Sequence, residues 1–131
     1  MKAIINFADH TVIFDERVVI GPDNGYIYCL NANDGQLLWS TFAGGPIQAT
    51  FAASVVLRSS PMIIEERVYV GSLDSNLYCL QLETGEIIWS FTTEGYITST
   101  PAISEGSVYV LSQESNSGAL YKLDMFSGQL D

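Results

Sequence analysis

Basic side chains are scarce in this sequence: five lysines and arginines stand against fifteen aspartates and glutamates, a formal net charge of −10 over 131 residues. Such a surface repels phosphate backbones, and Lys2, Arg17, Arg58, Arg67 and Lys122 are scattered rather than patched. That excludes a nucleic-acid groove and an anionic membrane face. Long apolar runs are absent too; none reaches the roughly 18 residues of a transmembrane helix, so no membrane insertion is expected. The opening stretch from Met1 to Phe7 is too short and too soon acidic for a signal peptide, so a signal, if there is one, lies outside this stretch and the compartment stays open. Histidine occurs once, at His10, which leaves no Ser-His-Asp or Cys-His arrangement to support. Cysteine occurs twice, at Cys29 and Cys79, too far apart for a CxxC motif and too few for a disulfide scaffold. Charge of either sign is only 15% and apolar content is 47%, which excludes disorder and suffices for a core.

What is present is a repeat. Three segments read in parallel: Arg17-Val18-Val19-Ile20-Gly21 with Gly25-Tyr26-Ile27-Tyr28-Cys29-Leu30, Arg67-Val68-Tyr69-Val70-Gly71 with Asn76-Leu77-Tyr78-Cys79-Leu80, and Ser107-Val108-Tyr109-Val110-Leu111 with Ala119-Leu120-Tyr121-Lys122-Leu123. The valine-to-tyrosine distance is 10 residues in the first two (18 to 28, 68 to 78) and 13 in the third (108 to 121). Tyrosine to glycine is 7 in all three (28 to 35, 78 to 85, 121 to 128). A fixed internal spacing is the signature of a repeat architecture.

Within each unit, Val/Ile/Tyr/Leu runs are bounded by Asp, Asn, Ser and Gly, which predicts short strands joined by tight turns. Asp23-Asn24-Gly25 and Asp74-Ser75-Asn76 mark one hairpin; Asp34-Gly35, Thr84-Gly85 and Ser127-Gly128 mark the next. A preceding strand fits Thr11–Phe14, Pro61–Ile64 and Pro101–Ser104, with proline opening the strand where its N–H is not needed. The runs are apolar at nearly every residue, as for a sheet buried on both faces, and no helical-period segment separates them. The reading is all-β: a partial β-propeller of about three four-stranded antiparallel blades. The whole of 1–131 is one segment, with blade units at about 10–44, 60–95 and 100–131 and a candidate closing strand in 1–9.

Cys79 through Trp89 follows the pattern Ala-x-Asp-x-x-Thr-Gly-Lys-x-x-Trp, with Thr84, Gly85 and Trp89 in place and Gln81 for the acid. Cys29 through Trp39 matches at Gly35 and Trp39 with Asn31 for the acid, and Lys122 through Gly128 keeps Asp124 and Gly128. On these residues the chain resembles the pyrroloquinoline-quinone-like (PQQ-like) repeat family, from about residue 10 onward. The resemblance implies a structural docking role for Trp39, Trp89, Gly35, Gly85 and Gly128, each tryptophan packing on the next blade. That family includes quinoprotein alcohol dehydrogenases, the non-enzymatic propeller of the bacterial outer-membrane assembly machine, and accessory repeats of larger enzymes and cell-surface proteins. In the enzymes a quinone lies between a tryptophan and a disulfide of adjacent cysteines, beside Ca²⁺ held by Glu, Asn and Asp. This sequence has no adjacent cysteines and no alignable ligand set, so no cofactor, no metal and no catalytic residue is assigned. The expected function is a non-catalytic scaffold or protein-interaction module. The alternatives are a fragment of a PQQ-dependent dehydrogenase and an accessory propeller domain.

The remaining candidates divide between bland and functional readings. Cys29 and Cys79 hold the same slot in adjacent units, which reads as small buried hydrophobes rather than a metal pair. The pairs Asp15-Glu16 and Glu65-Glu66 read as a solvated rim, and His10 as a loop histidine. Between the first two units the connection is longer (Trp39 to Pro61 is 22 residues, Trp89 to Pro101 is 12) and holds Ile47, Phe51, Val55 and Leu57. It reads either as an interaction loop on one propeller face or as extra packing. Three blades cannot close a ring, and the third unit stops after three strands with its outer place vacant, so the chain is either a piece of a longer propeller or completes a ring with another copy; a protein partner or self-association is expected, with Lys2–Phe7 the candidate strand by which a homodimer completes the propeller.

Overall fold

The computed structural model describes residues 11–14, 16–20, 25–42, 61–72, 74–97, 99–114 and 116–131. All regular structure among them is β. The first blade is β1 (Thr11–Phe14), β2 (Arg17–Ile20), β3 (Tyr26–Asn31) and β4 (Leu37–Phe42), paired in that order and antiparallel throughout. The second repeats it with β5 (Met62–Ile64), β6 (Arg67–Gly71), β7 (Asn76–Gln81) and β8 (Ile87–Thr92). The third consists of β9 (Tyr96–Ile97), β10 (Ala102–Ser104), β11 (Ser107–Glu114) and β12 (Ser117–Asp124). Even irregularities repeat: the ladder shifts between Cys29 and Leu30 in the first blade and between Cys79 and Leu80 in the second.

Glu16, Glu65-Glu66 and Glu105-Gly106 turn the first hairpin of the three blades. Glu65 and Glu66 both lie in the left-handed region, at φ 48° and 63°, as does Glu16 at 58°; in the third blade Glu105 and Gly106 take 49° and 81°. Such backbone matches the twist of the flanking strands, although glutamate adopts it at a cost that glycine avoids. These residues are therefore strained turn centres as well as a solvated rim.

The core lies between blades. Val19, Ile27, Cys29 and Trp39 of the first blade meet Val68, Val70, Tyr78, Leu80 and Leu82 of the second. From its opposite face the second blade sends Tyr69, Leu77 and Cys79 against Ile97, Val108, Val110, Leu123 and Met125 of the third. Alternate residues of β6 and β7 thus enter two different cores, which is why Val68–Val70 and Leu77–Leu80 are apolar at every position.

Two expectations need correction, both in the third blade. Its inner strand does not simply begin at Pro101: β9 pairs with the far end of β11 (Ser112 opposite Ile97, Gln113 opposite Tyr96), and β10 pairs with the near end. Pro101 sits in the gap because it has no N–H for the ladder. Nor is the outer place wholly vacant, since Leu130 bridges Leu123 at the register where Ile87 meets Leu80. The three extra residues of this unit lengthen β11 and β12 to eight residues each.

Candidate functional site

The turn after the third strand has one geometry in all three blades. Gly35, Gly85 and Gly128 take φ 74°, 79° and 74°, and their N–H groups donate to the carbonyls of Asn31, Gln81 and Asp124 at 2.8, 2.8 and 2.9 Å. Residue 124 is the acid of the motif. Its carboxylate accepts from the N–H groups of Ser127 and Phe126, at 2.8 and 2.9 Å, and those donations hold it below the ordinary carboxylate range. Asn31 does the same work uncharged, accepting from the N–H of Asn33 at 2.7 Å.

Onto two of these turns a tryptophan of the preceding blade docks. A Cβ built on Gly85 would lie 2.5 Å from Trp39 Cε3, and one on Gly128 would lie 2.4 Å from Trp89 Cδ2. No side chain fits under either indole, so glycine is required twice over, for space and for φ. The Trp39 Nε1–H donates to Leu82 O at 2.7 Å, and the Trp89 Nε1–H donates to Met125 O at 3.2 Å. The structure therefore brings Trp39 to Gly85 and Trp89 to Gly128 across blade boundaries. Gly35, in the leading turn of the chain, is half-buried.

Several docking residues escaped the motif. Arg67 reaches the third blade, where its guanidinium lies 5.2 Å from the Phe126 ring centroid and donates to Phe126 O at 3.3 Å. Its counterpart Arg17 shares a small cleft with Gln81, Leu82 and Glu83 of the second blade's turn. The signal was visible, since both arginines open the same strand of their units. Tyr69 donates its hydroxyl to Met125 O at 2.9 Å, and Thr41 donates to Gly85 O at 2.6 Å. Tyr78 and Tyr121 lock hairpins, each donating at 2.6 Å to a carboxylate, Asp74 and Glu114 respectively.

Cys29 and Cys79 are free, buried thiols in different inter-blade cores. Burial raises both above the ordinary thiol value, against the opposing charge of Arg17 at the first and of Arg67 at the second. Burial likewise raises the Tyr69 and Tyr78 phenols. The third blade carries an open cleft of about 470 Å³ lined by Ser99, Leu111, Ser112, Gln113, Asn116, Ser117 and Gly118, with no titratable side chain in it. Among the described residues no three His, Cys, Asp or Glu side chains gather as metal ligands. The described residues thus do not fit the quinone-and-calcium chemistry that the PQQ-like resemblance implies for the dehydrogenases. Lys2–Phe7, His10, Ile47, Phe51, Val55 and Leu57 lie outside the described residues.

The family model described as outer membrane protein assembly factor BamB matches residues 6–70 and 23–131. A search of curated protein sequences finds no match. Among solved structures, BamB from Moraxella catarrhalis is similar with TM-score 0.74 at 22% identity, covering 92% of this chain and 38% of its own. The quinohemoprotein alcohol dehydrogenase ADHIIG from Pseudomonas putida HK5 gives 0.78 at 19%, covering 98% and 21%. The computationally designed Ika4 protein gives 0.76 at 19%, covering 100% and 78%. At these identities the likeness is one of fold, and the chain spans well under half of the first two proteins.

Proposed function

The chain belongs to the family described as outer membrane protein assembly factor BamB, and from that premise we propose that it is a non-catalytic propeller scaffold that holds a partner protein. The observation that carries this reading is where the apolar surface lies. Leu37 and Leu38 on the first blade's outer strand and Ile87 and Ile88 on the second's are all exposed. Exposed apolar side chains concentrated on repeated strands mark a surface built to be covered by protein. The buried indole N–H groups and the Tyr69 hydroxyl, by contrast, serve blade docking. The partner proposed is a protein, a second copy of this chain included.

Isothermal calorimetry with pyrroloquinoline quinone and Ca²⁺ tests the non-catalytic half, and light scattering tests the self-association. The expected results are no stoichiometric quinone binding, no quinone-dependent dye reduction, and a dimer. Tight one-to-one quinone binding would instead support a dehydrogenase fragment, the reading that the likeness to the quinohemoprotein fold keeps in view.

A further inference from the structure

A blade stacked in a propeller hides its faces against its neighbours and turns its outer strand away from them. The outer edge of β8 owes its exposure to neither end of the chain, because the second blade packs the first on one face and the third on the other. β8 closes its sheet, with β7 on one side and no strand of the described residues on the other. The Thr93 N–H donates to Ser75 O at 2.7 Å, and the register continues with Thr92 opposite Asn76, Phe91 opposite Leu77 and Ser90 opposite Tyr78. Successive residues of an antiparallel ladder alternate between inward and outward backbone groups. The N–H and C=O of Ser90 and Thr92 therefore point away from β7.

Sheet edges are ordinarily guarded by charge, by proline or by a bulge that twists them out of reach. On the inner side, β5 and β10 each follow directly on a proline, Pro61 and Pro101. The outer edge has no proline, and no charge from Ile87 to Thr93 in a chain of net charge −10. Its bulge sits at the very start. The ladder passes from Cys79 opposite Trp89 to Leu80 opposite Ile87, which leaves Ile87 and Ile88 to oppose one residue and Trp89 to Thr92 regular. Those isoleucines are 46% and 41% exposed. β4 repeats the arrangement, closing its own sheet with Leu37 and Leu38 exposed and its ladder shifted at the same place. Exposed carboxylates bracket the β8 edge, Glu83 and Glu86 before it and Glu94 after it.

We infer that the free edge of β8 is a strand-addition site for an extended segment of a partner protein, apolar where it passes Ile87 and Ile88, uncharged along Ser90–Thr92, and carrying lysine or arginine at both ends. This rests on the scaffold reading above and names the edge and the chemistry of what it holds. Ser90 and Thr92 offer main-chain hydrogen bonds, the two isoleucines offer apolar area, and Glu86 and Glu94 select a basic occupant. A second copy of the same edge does not fit, because it brings these glutamates against like charges.

The probe is a synthetic peptide, Lys-Val-Thr-Val-Thr-Val-Thr-Val-Lys with blocked ends, titrated into the full chain and followed by NMR. At a peptide concentration about ten times Kd, exchange of the Ser90 and Thr92 amide protons should slow about tenfold. Ser90→Pro removes an outward N–H and leaves the bonds to β7 alone, so peptide binding should be lost while the thermal midpoint stays close to wild type. The same bond is tested without altering the chain by two further peptides, N-methylated at the valines or at the threonines. The one whose N–H groups face β8 should lose binding. Glu86→Lys should weaken binding about two- to fivefold, as for one exposed ion pair. Binding that survives Ser90→Pro and both methylated peptides overturns strand addition, and so does a wild-type chain that does not bind the peptide. A glutamate-ended peptide that binds as well overturns the basic occupant. Each of these leaves the scaffold reading standing, since that reading falls to quinone binding instead.

Discussion

The two blade-to-blade interfaces use the same glycine socket but hold it differently. At the first, Trp39 is buried, with 8% exposure, its indole donates at 2.7 Å, and Thr41 adds a bond to the carbonyl of the glycine beneath it. At the second, Trp89 is only half-buried and its bond is longer, 3.2 Å, because Met125 O also accepts from Tyr69. The second interface compensates by spreading its load. Tyr69 lies 5.9 Å from Trp89, Phe91 stands edge-on to Tyr121 at 5.5 Å, and Arg67 covers Phe126. One docking motif can therefore be concentrated in a single indole or distributed over several aromatics, and the residue opposite cysteine (Val19 or Tyr69) separates the two cases.

Replacing the indoles gives the largest expected effects. Trp39→Ala should destabilise by about 3–5 kcal/mol, the usual range for deleting a large buried aromatic, and Trp89→Ala by about 3 kcal/mol because its neighbours remain. Urea midpoints measure both; equal losses would break the contrast between concentrated and distributed docking. Next comes the socket. Gly85→Ala combines a left-handed backbone with a clash against Trp39, and about 3 kcal/mol is expected. In a Trp39→Ala background the indole clash is gone while Thr41 Oγ1 still stands 2.8 Å from the new Cβ, so the same change should cost about 2 kcal/mol, and a double-mutant cycle reads the difference.

A smaller change sharpens the second interface alone. Tyr69→Phe removes one of two donors to Met125 O while Trp89 still satisfies it, so about 1 kcal/mol is expected. A loss several times larger would mean that the tyrosine, not the tryptophan, carries this interface. The mildest effect is absent until alkaline pH. Burial raises Cys29, Cys79, Tyr69 and Tyr78 in the folded chain above their ordinary 9.0 and 10.0. Each group's contribution is fully present below its unfolded value and is lost as pH rises towards the raised folded value. Thermal midpoints should hold level up to about pH 9 and fall beyond it; a decline beginning near neutrality would point to other groups.

Much of the blade was legible because strand and turn chemistry are local. The Val-to-Tyr and Tyr-to-Gly spacings placed β2, β3, β6, β7 and three glycine turns, whereas the 13-residue interval in the third unit was only a count until the structure made it the longer β11–β12 hairpin. Less legible was β9, since Tyr96-Ile97 carries too little pattern and pairs with Ser112 and Gln113 across a break at Pro101. The acidic pairs read as solvent-facing, which says nothing of the left-handed backbone that Glu16, Glu65 and Glu66 adopt.

The sequence by itself determined the repeat, the strands and the glycine turns, because these follow from side-chain spacing and backbone φ within some forty residues. Only the tertiary structure decided which indole meets which glycine and which carbonyl accepts its hydrogen bond. Leu82 O lies 43 positions from Trp39 and Met125 O 36 from Trp89, and no local rule names either. It also decided that Tyr69 and Arg67 are docking residues, since a tyrosine in a strand and a lone arginine acquire that role only when a neighbouring blade brings a turn within reach.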